Sequence, residues 1–119
     1  MSPEDKDLLD EAAGLRFAGG QPALYRRLLL RFVETQGDLL VRLEGALADG
    51  NVHEAARLLH TLKSAAATIG SQRVSALACE LEARVAELDR ADAPMSPLRE
   101  TFPMLLQRVA ERLEAPPAD

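Results

Sequence analysis

From residue 74 to residue 88 the apolar side chains fall at Val74, Leu77, Ala78, Leu81, Val85 and Leu88. Steps of three and four place them along one side of an α-helix. The pattern recurs at Leu24, Leu28, Phe32, Leu39, Leu43 and Leu47, and at Leu98, Phe102, Leu105, Leu106, Val109 and Leu113. No run of Val, Ile, Thr and aromatics alternates with period two, so a sheet is not expected. Leu and Ala interspersed with Glu and Arg are good helix formers. Such a chain can bury its apolar stripes only by packing helix on helix.

Punctuation residues give the predicted boundaries. Ser2 followed by Pro3 reads as a cap and first-turn proline, opening a short helix that ends near Gly14. After Gly19-Gly20-Gln21-Pro22 a second helix begins, interrupted at Gly37. It is one long helix or two in line, because one glycine costs only about 1 kcal/mol. Asn51 with Glu54 three residues on opens a third helix, which runs to Ile69 and stops at Gly70. Ser71 can cap the fourth. Residues 91–94 read as a loop, and the last helix starts either at Ser96-Pro97 or at Thr101 with Pro103. Short connections imply antiparallel neighbours. The expected fold is therefore all-α: an antiparallel up-down four-helix bundle with a short additional N-terminal helix. Residues 1–114 form a single domain in this reading, and residues 115–119 a disordered tail.

Composition removes several classes of function. The formal net charge of −5 argues against nucleic-acid binding, which needs a basic surface. No apolar run is long enough for a bilayer, and the polar, acidic N-terminus is neither signal nor transit peptide. Cys79 is the one cysteine and reads as a small core residue in a reducing compartment. A soluble cytoplasmic protein is expected, and the initial Met with polar ends favours a free-standing one.

Chemistry concentrates on the third helix. A rotation of about 100° per residue puts Ala55, Leu58, Leu62, Ala65 and Ile69 on one side as the core stripe. His53, Ala56, Arg57, His60, Lys63, Ser64 and Ala67 fall on the other. His60 thus stands on the polar face, with Arg57 and Lys63 one turn to either side in an otherwise acidic chain. Ala56, Ser64 and Ala67 are small where a solvated face would carry Glu, Gln or Lys. A flat, basic face with a nucleophile in it describes a docking surface. Imidazole is nucleophilic near neutrality because its unperturbed pKa is about 6.5. Phosphoryl transfer asks mainly for in-line positioning and charge stabilisation, which a point charge such as Lys63 can supply. One ring nitrogen would attack while the other needs an acceptor, and Glu82 or Glu80 on the neighbouring helix could provide it.

These residues resemble the histidine-containing phosphotransfer (HPt) domains of multistep two-component signalling. The family pattern is His-x-Leu-Lys-Gly, small residues, a Gly ten positions after the His, and a later Leu-Glu. His60, Leu62, Lys63, Ala65, Gly70, Ala78, Leu81 and Glu82 match at those spacings. Arg16-Phe17-Ala18-Gly19-Gly20, the run Leu24 to Leu29, and Leu47-Ala48-Asp49-Gly50 also look like the family, so the resemblance covers roughly residues 10–114. It implies a four-helix bundle with His60 exposed at mid-helix, taking a phosphoryl group from a receiver-domain aspartate and passing it to another. It further implies Lys63 as the charge partner and Glu82 as the residue orienting the imidazole. No cofactor of its own is implied, since the receiver supplies Mg²⁺. The implied partners are response-regulator receiver domains and a hybrid sensor kinase, met as a monomer. Ser64 departs from the pattern by replacing the usual Gly after the lysine, which would alter partner fit or phosphohistidine lifetime.

Three other readings fare worse. A kinase dimerisation helix usually has an acidic residue after the His, where this chain has Thr61, and 119 residues hold no Gly-rich nucleotide site. A metal site on His53 and His60 fails because seven residues separate them by about 10.5 Å along the axis. A non-catalytic adaptor bundle leaves the His-Lys pair and the small-residue face unexplained.

Overall fold

The computed structural model describes residues 3–88 and 94–115 of the chain. The Ser2 cap, the loop over 91–93 and residues 116–119 of the expected tail lie outside the described residues. The described residues form seven helical segments and no strand: α1 (Pro3–Leu8), α2 (Glu11–Phe17), α3 (Pro22–Gln36), α4 (Leu39–Ala48), α5 (Val52–Ile69), α6 (Gln72–Leu88) and α7 (Ser96–Glu114).

The fold is a helical bundle. Its four arms are the broken pair α3–α4, then α5, α6 and α7, with each arm touching the next and α7 returning to α3. Cross-contacts give the direction. Tyr25 at the start of α3 reaches Ile69 at the end of α5, Lys63 of α5 meets both Ser75 and Glu82 of α6, and Arg26 of α3 reaches Leu113 at the end of α7. Neighbouring arms therefore run antiparallel. The short helices α1 and α2 pack on α6 and on α5 with α3.

Caps set the ends of α5 as the sequence suggests. The Asn51 side chain accepts from the Glu54 N–H at 3.1 Å, and Gly70 closes the helix in the left-handed region at φ 97°. Ser71, itself buried, accepts from the Val74 N–H at 3.4 Å and so caps α6. Within the bundle Leu29, Leu39, Leu43, Leu59, Leu62, Ile69, Val74, Val85, Leu98, Phe102, Leu105 and Val109 are almost wholly buried. Each such side chain contributes about 1.5–3 kcal/mol relative to exposure.

Several details differ from the sequence reading. The short N-terminal helix is two helices, because Asp10 caps a fresh start by accepting from the Ala13 N–H. The Gly37 interruption is a true break between α3 and α4. Arg42 spans it, its guanidinium donating to the Asp38 carboxylate and the Thr35 carbonyl at 2.9 Å each. Leu24 is exposed while Tyr25, Leu29, Phe32 and Gln36 face inward, since Tyr25 is anchored by its hydrogen bond to Ile69. The core stripe of α5 also takes in Leu59 and Ala66, with Ala65 only half-buried. Cys79 is exposed, because it lies about 100° round α6 from Ala78, which faces the core. Finally, α7 begins at Ser96 and continues through Pro103, which sits on its exposed side, where water can replace the helical donor it lacks.

Candidate functional site

The capped ends of α5 hold His60 near its middle, away from the buried positions Leu59 and Leu62. Its ring is 63% exposed, whereas the Glu82 side chain opposite is only 24% exposed and that of Lys63 31%. The imidazole is open and its partners are sheltered. Glu82 lies on α6, which the turn at Gly70–Ser71 folds back along α5, and it divides its carboxylate between two partners. One oxygen lies 3.1 Å from His60 Nδ1 and the other 3.1 Å from Lys63 Nζ.

This geometry has a chemical consequence. An ionised carboxylate can only accept hydrogen bonds, so Nδ1 donates, and in the neutral ring Nε2 then carries the lone pair. The same carboxylate holds the ammonium of Lys63 one turn along the same helix. Of the two acceptors considered from sequence, Glu80 is not at the site: it lines the other flank of α6 with Leu77, Arg84 and Pro97.

The remaining face residues fall as follows. Ser64 and Ala67 are exposed beside His60, and Ala56 is half-buried against the core. Arg57 is exposed but tied to Glu54, at 2.9 Å from Nε and 2.5 Å from Nη2. That hydrogen bond holds the Glu54 carboxyl below the usual carboxylate range and raises the guanidinium. The face that reads as basic in sequence is thus charge-matched, Arg57 by Glu54 and Lys63 by Glu82. His53 is exposed two turns before His60. Among the described residues no group of three or more His, Cys, Asp or Glu is placed to hold a metal ion, and no helix is long and apolar enough to cross a membrane.

Sequence reasoning missed Ser75. It donates from its hydroxyl to the Lys63 carbonyl at 2.9 Å. The available signal was its spacing of seven residues from Glu82, which places both on one side of α6.

An open imidazole backed by a carboxylate and an ammonium is a set of groups suited to phosphoryl transfer. The family model described as Hpt domain matches residues 27–115, three quarters of the chain, and the chain belongs to that family. Domains of this kind are phosphotransfer intermediates, not kinases, and work with receiver domains and kinases in two-component phosphorelays. The match includes His60, Lys63 and Glu82 and leaves α1, α2 and the first turn of α3 outside it. Neither a curated protein nor a solved structure matches the chain.

Proposed function

We propose that His60 is the phosphorylated residue and relays a phosphoryl group between receiver-domain aspartates. The observation that supports this reading best is the bridging carboxylate of Glu82, which leaves Nε2 as a free nucleophile and keeps a cation at hand. The Nε2 lone pair attacks the phosphorus of the receiver's acyl phosphate. An N–P bond forms as the P–O bond to the aspartate breaks, and the aspartate carboxylate leaves with that electron pair. Nδ1 keeps its proton, shared with Glu82, so the carboxylate offsets the positive charge gained by the ring. Lys63, on a flexible stem, turns from Glu82 to the phosphoryl oxygens. Transfer to the next aspartate reverses each step.

Ala56, Arg57, Ser64 and Ala67 form the docking face in this reading. The small side chains of Ala56, Ser64 and Ala67 let a receiver bring its aspartate into line, and the Ser64 hydroxyl can bond the phosphoryl group. Mg²⁺ comes with the receiver. The partners are response-regulator receiver domains and a hybrid sensor kinase, encountered in the cytoplasm. A monomer suffices for this relay, since one chain carries all three site side chains.

The test is transfer of labelled phosphate from a phosphorylated receiver, with Mg²⁺, to the wild type and to His60→Gln. Acid-labile, alkali-stable label on the wild type alone is the expected result. Label retained on His60→Gln would move the site, and no label from any of several receivers would return the chain to an adaptor role.

A further inference from the structure

The α5–α6 pair carries a contact that the phosphotransfer chemistry does not itself require. Ser75, half-buried on α6, donates to the Lys63 carbonyl at 2.9 Å. Peptide carbonyls of a helix point toward its C-terminus, while side chains lean toward its N-terminus. Lys63 is therefore held from both directions by the antiparallel α6. Its carbonyl is held by Ser75 near the turn at Gly70–Ser71, and its ammonium by Glu82 farther along. Ser75 and Glu82 are seven residues apart on one side of α6, about two turns or 10.5 Å.

We propose that Ser75 is a positioning residue for the His60 site, fixing the register of α6 against α5 at which one Glu82 carboxylate reaches both His60 and Lys63. The kinetic half of this inference rests on the phosphotransfer reading above; the structural half does not. The His60 contact tolerates little sliding, because the imidazole on its short stem cannot follow a shifted Glu82 carboxylate as the lysine stem can. Large buried side chains on both helices, Leu59, Leu62, Val74 and Leu81 among them, resist such sliding, but the small ones do so poorly. The buried positions of this helix pair include Ala55 and Ala66 on α5 and Ala78 on α6, whose methyl groups make shallow ridges. A directional hydrogen bond to a fixed backbone atom supplies the constraint that these methyls lack. The carbonyl can accept it besides its helical donor, since it has two lone pairs.

The test compares wild type, Ser75→Ala and Ser75→Thr. Alanine is a good helix former and leaves no bulky gap, so the variant will fold. Nitrogen-15 NMR of the His60 ring reports the fraction of the Nδ1–H tautomer, a quantity that general stability does not set. Single-turnover transfer from a phosphorylated receiver, over a range of receiver concentrations, separates rate from affinity. Ser75→Ala should lower the Nδ1–H fraction and slow the limiting rate about two- to ten-fold, the range open to one neutral hydrogen bond. The half-saturating receiver concentration should stay unchanged, and Ser75→Thr should restore both quantities. Wild-type ring signals in Ser75→Ala would overturn the proposal, as would failure of the threonine hydroxyl to restore them. If the wild type accepts no phosphate at all, the relay reading falls, and the ring signals alone decide the role of Ser75.

Discussion

The middle and the end of α5 are built on opposite principles. Around His60 the helix is open: the imidazole is mostly exposed and its neighbours Ser64 and Ala67 are small and solvated. One turn of chain past Ala66 there is no free space. The Asp10 N–H donates to the Gly70 carbonyl at 2.8 Å, and the Tyr25 hydroxyl to the Ile69 carbonyl at 2.9 Å. A β-carbon on Gly14 would stand 2.5 Å from the Ile69 carbonyl oxygen and run into the Tyr25 ring; one on Gly70 would meet the Asp10 carbonyl. The proposed chemistry sits where side chains are open to solvent, and steric precision sits where three segments cross. Substitutions in the two places should therefore fail in different assays.

The largest effects come from exchanging the roles of the two regions. His60→Gln should abolish phosphate acceptance while leaving the urea midpoint within error of wild type. Gly14→Ala should do the reverse. Its methyl meets backbone at Ile69 and a ring already engaged in a hydrogen bond, so overpacking should cost about 3 kcal/mol. That is a large share of a typical domain stability of about 5–15 kcal/mol. Urea unfolding should show a lowered midpoint with an unchanged slope, while the folded fraction still accepts phosphate at His60. A stable Gly14→Ala protein would mean that the crossing is looser than its contacts suggest.

Tyr25→Phe sharpens the same contrast through pH. Losing the hydroxyl should cost about 1 kcal/mol at neutral pH, since the Ile69 carbonyl already has few other donors at the helix end. Burial, helped by the nearby Glu11 carboxylate, raises the Tyr25 pKa well above the ordinary tyrosine value of about 10. The folded state thus keeps the phenol neutral after the unfolded chain has begun to ionise. The stabilising contribution is full below about pH 10 and is lost as pH rises through the folded value. Wild type should lose stability above that point at up to about 1.4 kcal/mol per pH unit relative to Tyr25→Phe. The difference between the two proteins should therefore narrow and then reverse in alkaline denaturation curves. A constant difference from pH 7 to 11 would show that Tyr25 ionises as freely folded as unfolded.

What could be read from sequence follows the same division. The ends of α5 and the polar placement of His60 and Lys63 were legible, because caps and faces depend on residues a few positions apart. Glu82 stood level with Glu80 on the residues alone and was singled out only by the family resemblance. Tertiary facts were not legible. Nothing local distinguishes Gly14 from any other glycine; its meaning lies in Tyr25 and Ile69, which the fold brings to it. Cys79 was misplaced because an exposed cysteine and a buried one look alike beside Ala78. The charge-matching of Arg57 was one turn away at Glu54, but a face read for its cations alone passes over the acid that occupies them. Pro103 illustrates the converse. A local rule forbids it mid-helix, yet on the exposed side of α7 packing by Phe102 and Leu105 carries the helix through.

The smallest effect is expected from Lys63→Ala, and it is the most searching test of the contrast. The ion pair with Glu82 is partly exposed and worth little, so stability should change by no more than about 1 kcal/mol. Without the ammonium, Glu82 is free to serve His60 alone, and the Nδ1–H tautomer should persist in the ring signals. The loss should appear only once a phosphoryl group is on Nε2, whose oxygens then lack their cation. Transfer should slow several-fold or the phosphorylated form should decay faster, with receiver affinity unchanged. Lys63→Arg, which restores charge but not a compact point donor, should recover part of the rate. An Ala variant with wild-type rate and lifetime would remove Lys63 from the chemistry. One that lowered stability as much as Tyr25→Phe would show that the open middle of α5 also holds the bundle together.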